Sequence, residues 1–229
     1  MDGNGRWARA RGLARARGHR AGVDSVRDIV TDCASAKLEW LTLFALSTEN
    51  YRRRPRTEIR TLMALLRRFM IAERATFMKN GVRLRTVGRV DELPPKVVKE
   101  IRATEELTAG NDGTVLSLAL NYGGRREILD AARRLAAAAQ SGEVDLDDLS
   151  EDDLSRRLDD PLMPDVDLLV RTAGEMRISN FLLWQVSYGE IHVTPTCWPD
   201  FRRANLEAAV DDYRRRSRRF GGLLAGEER

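Results

Sequence analysis

Apolar and polar positions along this chain follow two different periods. In residues 22–36 apolar side chains recur at helical spacing, which predicts a helix with one buried face. Residues 39–46 form a nearly continuous apolar run that ends in Ser-Thr-Glu-Asn. Such a run is typical of a buried parallel strand that leads into a functional loop.

The same two patterns predict the other elements. Further strands are expected at residues 82–87, 114–120, 166–170 and 189–194. Further helices are expected after Pro55 to about Lys79, at 94–107, at 125–140, within 171–185 and from about Arg203, and acidic residues 142–160 suggest loops with one short helix. Alternating strands and helices indicate an α/β fold, a single domain over residues 1–229 with a central, mostly parallel sheet flanked by helices.

One predicted helix is apolar enough to raise two interpretations. Its apolar positions are Ile59, Leu62, Met63, Leu66, Phe69, Met70 and Phe77. Helical spacing of this kind usually marks a packed core, but it also suits the wall of an apolar tunnel.

Composition narrows the class of protein. The chain has 229 residues, 42% of them hydrophobic, which suits one domain with a sizeable core. No apolar run reaches the roughly 18 residues of a membrane span, so we expect a cytoplasmic protein with at most peripheral membrane contact. The net charge of +4 includes six arginines in the first twenty residues. We expect no nucleic-acid partner, because no stacking ladder or helix-turn-helix accompanies them. Cys33 lies on an apolar helix face, where a reduced core thiol is expected.

The first candidate site opens the chain, at Asp2-Gly3-Asn4-Gly5-Arg6. A Gly-x-Gly run can expose several backbone N–H groups to an anion, while Arg6 adds positive charge. Asp2 would repel that anion unless a cation lay between them, which favours Mg²⁺ bound by a carboxylate and substrate phosphates. The same residues would also suit an ordinary tight turn.

The second candidate site follows the apolar run at 166–170. Arg171, Arg177 and Ser179 supply guanidinium forks and a hydroxyl, the donors that a diphosphate needs. Two anion sites and a carboxylate suggest chemistry between two phosphorylated substrates.

Both sites resemble motifs of the cis-prenyltransferases, the Z-isoprenyl diphosphate synthase family. Six blocks occur in the family's order: DGNGRWA at the start, GHRAG (18–22), FALSTEN (44–50), NYGGRREI (121–128), RTAGEMRISNFLLWQ (171–185), and YGEI (188–191) with WPDF (198–201). The resemblance implies an α/β domain with an apolar tail tunnel. It implies an enzyme that condenses an allylic diphosphate with isopentenyl diphosphate, with Mg²⁺, as a homodimer.

The resemblance also implies roles for individual residues. Asp2, Ser47 and Asn50 would be catalytic, and Asp2 with Glu190 would bind Mg²⁺. Substrate binding would use Gly3, Asn4, Gly5, Arg6, Trp7, Arg15, His19, Ser47, Glu49, Asn50, Tyr51, Arg54, Arg171, Arg177 and Ser179. Arg219 and Gly221, in a tail (214–229) expected to be flexible, would reach across the dimer. Without the resemblance, His19 reads as a surface histidine and Ser47 as an ordinary helix cap.

The chain departs from the family pattern in several places. Tyr51 stands where a Trp is usual, and Arg54 follows after one extra residue. Ala173 replaces a usual Gly, which is tolerable if its φ is negative. The stretch from His192 to Cys197 lacks the usual acid. His192 is expected on the same strand face as Glu190, either as a base or as a hydrogen-bond partner of the Glu190 carboxylate.

These departures keep other functions open. The acceptor could instead be a second dimethylallyl unit or an aromatic molecule, or the chain could be a non-catalytic subunit. In the family a strand precedes the Asp-Gly turn, so we also expect a first strand that the 229 residues omit.

Overall fold

The computed structural model describes residues 1–216. Its helices are α1 (Asn4–Ala10), α2 (Arg15–Ser35), α3 (Thr48–Arg53), α4 (Arg56–Ala72), α5 (Arg74–Lys79), α6 (Pro95–Thr108), α7 (Gly124–Gln140), α8 (Glu151–Ser155) and α9 (Arg203–Arg215). Its strands are β1 (Trp40–Ser47), β2 (Arg83–Val87), β3 (Val115–Tyr122), β4 (Leu168–Arg171) and β5 (Glu190–Val193).

The strands are parallel throughout the described residues, which confirms the predicted α/β class. Hydrogen bonds divide them into a three-stranded sheet in the order β1-β3-β2 and a separate pair, β4-β5. Strand β3 is central and almost wholly buried, as its run of Leu and Ala residues requires. Strand β1 leads directly into α3, whereas β4 leads into a loop.

The core lies between the sheet and the helices. Ile29 and Cys33 of α2, Met70 of α4 and Ile101 of α6 are almost completely buried there. Cys33 is a free thiol, as expected, and burial raises its pKa to about 12. A second cluster joins the sheets, where the ring of Phe44 stacks on that of Phe181 at 4.5 Å.

Three predicted elements differ from the structure. The helix expected to continue to Lys79 is divided at Glu73, whose buried carboxylate pairs with Arg27 of α2. No helix forms between Arg171 and Gln185, since Ser179, Asn180 and Leu182 have positive φ angles that interrupt a right-handed helix.

The last difference is at the C-terminus, where the expected flexible tail from residue 214 begins inside α9. Arg219 and Gly221 lie outside the described residues. Among residues 1–216, no helix is both long and apolar enough to cross a membrane.

Candidate active site

A cavity of about 980 Å³ lies beside β1 and β4 and extends from their carboxyl ends inward. Its polar lining includes Asp2, Asn4, His19, Ser47, Glu49, Asn50, Arg54, Arg171, Arg177, Ser179 and Asn180. The first and last of these, Asp2 and Asn180, are 178 residues apart in sequence. The fold thus brings the two candidate sites together.

Asp2 and Arg171 form the contact between the two motifs. Nη2 of Arg171 donates to Oδ2 of Asp2 at 2.7 Å, and the Arg171 side chain is only 8% exposed. Thr172 fixes the backbone of Asp2 on both sides, since its hydroxyl accepts from the Asp2 N–H and donates to the Asp2 carbonyl. The Asp2 carboxylate is 42% exposed, so it is held in place yet open to the cavity.

Gly3 is required by its surroundings. It precedes α1 with φ +100°, in the left-handed region that favours glycine. A Cβ there would lie 2.8 Å from Cys197 and 2.9 Å from the Cβ of Ala173. The expected loop of exposed N–H groups is therefore the start of a short helix, with Gly3 as its N-cap.

Arg6 and Arg177 meet over one carboxylate. Arg6 donates to Glu175 at 2.6 Å and to the carbonyl of Ala173, while Arg177 pairs with the other oxygen of Glu175. Both guanidinium groups are more than half exposed and remain accessible to an anion. Trp7 instead turns outward, where its indole donates to Asp200.

Arg15, His19 and Arg54 converge on the carboxylate of Glu58. Oε1 of Glu58 lies 3.2 Å from Arg15, 3.2 Å from His19 and 2.9 Å from Arg54. Burial and the charge of Arg54 lower the pKa of His19, against an opposing effect of Glu58. Three basic residues expected to bind substrate thus lie together, with His19 favoured as the neutral ring.

The beginning of α3, directly after β1, carries the next group. Ser47 is the N-cap of α3, its hydroxyl accepting from the Asn50 N–H at 3.1 Å, so the helix-cap interpretation is confirmed and the catalytic role stays a prediction. Glu49 accepts from Asn180 at 2.9 Å. The Tyr51 hydroxyl donates to the carbonyl of Glu92 and does not line the cavity.

Ala173 has φ +63°, so the negative angle under which its methyl would be tolerated is not present. Backbone hydrogen bonds hold it there. The Ala173 N–H donates to the carbonyl of Thr196 at 2.8 Å, and the Gly174 N–H donates to the carbonyl of Thr194 at 2.9 Å. Ser179 also has a positive φ, of 57°. The loop after β4 therefore stores backbone strain next to the cavity.

Glu190 and His192 occupy a separate network. Arg216 pairs with Glu190 at 2.7 Å and with Asp212 at 2.6 Å, and Nδ1 of His192 lies 2.8 Å from Asp212. The expectation that His192 would pair with Glu190 was wrong, because α9 supplies a nearer carboxylate. Neither residue lines the cavity that contains Asp2.

Asp2 fits a site for Mg²⁺ that is completed by substrate. Within residues 1–216, no three His, Cys, Asp or Glu side chains form a metal site. A single accessible carboxylate is sufficient when phosphate oxygens and water provide the other ligands. The second predicted ligand, Glu190, pairs with Arg216 and stays a prediction.

The inner wall of the cavity is apolar. Helix α2 contributes Val23, Val26 and Ile29, and α4 contributes Leu62, Met63, Leu65, Leu66 and Phe69. The apolar pattern of 59–78 thus serves both interpretations, since Met70 and Phe77 are buried in the core. The polar end and the apolar channel form one continuous space.

Three contributors were missed from the sequence. Glu58, Thr172 and Asn180 hold the basic residues, the Asp2 backbone and the Glu49 carboxylate, respectively. Asn180 stands directly after Ser179 in a motif that was recognised, so its position was a usable signal. Thr172 likewise stands directly after Arg171 in that motif, whereas Glu58 carried no such signal.

A family model decides the class of protein. The prenyltransferase model, described as "Putative undecaprenyl diphosphate synthase", matches residues 1–221. The chain belongs to this family. It is therefore a prenyl-transferring enzyme, and the resemblance, the α/β fold and the enzyme prediction are confirmed.

Individual relatives of the family agree. An isoprenyl transferase from Rhodopirellula baltica is 47% identical over 226 residues, covering 99% of this chain and 92% of the relative. The structure of lavandulyl diphosphate synthase from Lavandula x intermedia, with dimethylallyl diphosphate, superposes with a TM-score of 0.93 at 34% identity, covering 96% of this chain and 95% of that one. A probable undecaprenyl diphosphate synthase from Campylobacter jejuni has a TM-score of 0.77 at 37% identity, covering 88% and 92%.

Proposed function

We propose that this prenyltransferase condenses an allylic isoprenyl diphosphate with isopentenyl diphosphate to give a Z-configured product. One observation carries the proposal: a single cavity combines Asp2, several arginines and a continuous apolar channel. The polar end suits two diphosphates, and the channel suits a growing hydrocarbon tail.

The reaction forms one bond and breaks another. The allylic C–O bond breaks and its electron pair leaves with diphosphate, while the double bond of isopentenyl diphosphate forms the new C–C bond. A proton then leaves the isopentenyl unit as the Z double bond forms. The protein has to stabilise the negative charge that develops on the departing diphosphate.

Specific residues supply this stabilisation. Asp2 would hold Mg²⁺ at the allylic diphosphate, where the cation neutralises charge on the leaving group. Arg15, His19 and Arg54 meet at Glu58, where His19 and Arg54 line the cavity, and would donate to that diphosphate. Arg177 and Ser179, on the loop after β4, would bind the isopentenyl diphosphate.

The network around His192 favours the ordinary acceptor. A changed acceptor predicted that His192 would be open to the acceptor pocket, but its ring pairs with Asp212 away from the cavity. The sequence relatives support the same choice, with 47% identity to an isoprenyl transferase against 34% to the lavandulyl enzyme.

A comparison of three possible acceptors, each supplied alone, tests the proposal. The enzyme is incubated with Mg²⁺ and farnesyl diphosphate, and diphosphate release is measured with isopentenyl diphosphate, dimethylallyl diphosphate or a phenol. We expect release only with isopentenyl diphosphate, one diphosphate per unit added. Release with either of the other acceptors alone would contradict the proposal.

Assembly and location belong to the same proposal. We infer a cytoplasmic homodimer in which the tail with Arg219 and Gly221 reaches the partner's site, and at most peripheral membrane contact. Light scattering on the purified protein tests the dimer. Truncation after Arg216 tests the tail, and should raise the KM for isopentenyl diphosphate while the dimer persists.

We also propose that a further strand completes the sheet. Every residue from Leu38 to Ser47 and from Met163 to Thr172 lines the cavity, so the free edges of β1 and β4 face it. Met1 packs against the core and the Asp2 N–H bonds Thr172, so a segment ahead of Met1 would run parallel between these edges. It would fill that part of the cavity and leave the side lined by α2 and α4 to the hydrocarbon tail. Its backbone would pair groups that are otherwise left open.

Adding native upstream sequence tests this strand. A chain extended by about 20 residues should melt several degrees higher than the 229-residue chain. An extension of scrambled sequence serves as the control. Equal melting temperatures for all three chains would contradict the extra strand.

A further inference from the structure

Asn180 lies where three segments of the candidate active site meet. Its Nδ2 donates to Oε1 of Glu49 at 2.9 Å, and its Oδ1 accepts from the backbone N–H of Arg125 at 2.8 Å. Its backbone carbonyl oxygen accepts from the backbone N–H of Gly124, also at 2.8 Å. Asn180 thus ties the loop after β4 both to α3 and to the beginning of α7.

The two tied segments serve different substrates in the proposed function. Helix α3, which contains Glu49, ends beside Arg54, assigned to the allylic diphosphate, whereas Ser179, assigned to isopentenyl diphosphate, precedes Asn180 in the loop after β4. The 2.9 Å bond between Glu49 and Asn180 spans 131 residues of sequence. It is a direct polar link between the two sides of the cavity.

The surroundings leave little freedom to Asn180. Its φ of 61° is one that Asn adopts more readily than most residues. A Cβ on Gly123 would lie 2.8 Å from its Nδ2, so the glycine leaves space for this amide. At the far end of the loop, Gln185 donates to the buried Glu127 of α7. The loop is therefore fastened to α7 at two points.

Resting on the proposed condensation, we propose that Asn180 is a positioning residue that couples the two substrate sites. Its amide holds the acceptor loop at a set distance from α3, so that binding at one site favours binding at the other. Loss of the Glu49 bond leaves each site able to bind alone. What is lost is the mutual effect of the two substrates, meaning the increase in affinity for one substrate when the other is bound.

An exchange of donor and acceptor tests the coupling. The variant N180D removes the amide donor and places a second carboxylate against Glu49, while an oxygen remains to accept from Arg125. The double variant N180D/E49Q restores an amide opposite a carboxylate with the roles reversed. Contacts of this kind couple by factors of about tenfold in such cycles.

The readout is equilibrium binding as well as turnover. The affinity for a non-hydrolysable allylic thiodiphosphate is measured with and without saturating isopentenyl diphosphate, alongside KM and kcat. In N180D we expect the mutual effect on affinity to disappear and the KM for isopentenyl diphosphate to rise about tenfold. The double variant should recover most of this loss relative to E49Q alone.

A matched control is N205D, which makes the same change in an Asn that binds the Arg202 N–H and does not line the cavity. It should change the melting temperature at most, and leave the mutual effect intact. A mutual effect retained by N180D, or no recovery in the double variant, would overturn the role of Asn180. A native enzyme that binds neither diphosphate would overturn the proposed function itself, and this inference with it.

Discussion

Ala173 adopts an unfavourable backbone conformation that holds its carbonyl group in place at the site. Its φ of +63° belongs to a region that costs a non-glycine residue about 1 kcal/mol or more. Hydrogen bonds to Thr194 and Thr196 nevertheless hold the turn, and its carbonyl oxygen receives a bond from Arg6. The strain thus places a carbonyl against a guanidinium group at the cavity mouth.

Ala173→Gly should therefore stabilise the protein. Relief of strain outweighs the greater entropy of glycine in the unfolded chain, and we expect the melting temperature to rise by about 3 °C. Ala109→Gly is the control, since its φ of −60° is unstrained and the same change should lower the melting temperature. A fall for Ala173→Gly in calorimetry would contradict the strain.

His19 gives a pH dependence with a definite sign. Burial and Arg54 lower its pKa in the folded protein below the ordinary 6.5, so the unfolded chain binds the proton more readily. Stability from this group is present above pH 6.5 and is lost as the pH falls through the folded pKa. Urea unfolding between pH 5 and 8 should show the native protein losing stability relative to H19Q. A difference in unfolding free energy between the two proteins that does not change with pH would contradict the lowered pKa of His19.

Asp2→Asn tests the metal role of the carboxylate. The amide can still accept from Arg171 but binds Mg²⁺ poorly, so kcat should fall by about a thousandfold at saturating Mg²⁺ with little change in the allylic KM. Asp24→Asn, in an exposed ion pair of α2, is the control and should leave kcat unchanged. An unchanged kcat for Asp2→Asn would contradict the role.

Arg177→Ala and Arg171→Ala should differ because of their burial. Arg177 is 62% exposed, and its loss should raise the KM for isopentenyl diphosphate about tenfold or more while the melting temperature holds. Loss of the buried Arg171 leaves Asp2 without its partner, so stability and kcat should fall as well. Equal kinetic and thermal effects of the two variants would contradict this division.

At the scale of elements, α4 separates two faces with different tasks. Leu62 and Leu66 line the cavity, Met70 lies in the core, and Ile71 points outward with 43% exposure. The face toward the cavity can therefore be narrowed without disturbing the core.

Leu66→Trp should shorten the product. A larger side chain in the channel stops the tail earlier, so chromatography of labelled products should show fewer added units. Ile71→Trp, one and a half turns further along the same helix, is the matched control and should leave product length unchanged. An unaltered length distribution for Leu66→Trp would contradict the channel.

The elements also show what sequence can predict. Continuous apolar runs located β1, β3 and β4, because parallel strands of an α/β fold are apolar on both faces, although only β3 is almost wholly buried. The break at Glu73 was not predicted, and the partner of its buried carboxylate, Arg27, lies 46 residues away in sequence. The partner of His192 was likewise missed because α9 brings Asp212 to it across 20 residues.

Across the whole molecule, motifs identified which residues take part, but not how they are paired. Asp2 and Arg171, 169 residues apart, were assigned to different substrates, whereas the fold joins them in one ion pair. Glu58 lay in no recognised motif, although it gathers three basic residues. Such pairings depend on tertiary structure and leave no local pattern.

The geometry of the double bond in the product tests the central claim most directly. The enzyme is supplied with Mg²⁺, an all-E allylic diphosphate and ¹³C-labelled isopentenyl diphosphate, and the product is examined by NMR. The account predicts a label in each added unit, with every new double bond in the Z configuration. A product whose new double bonds are E, or which contains no label, would contradict it.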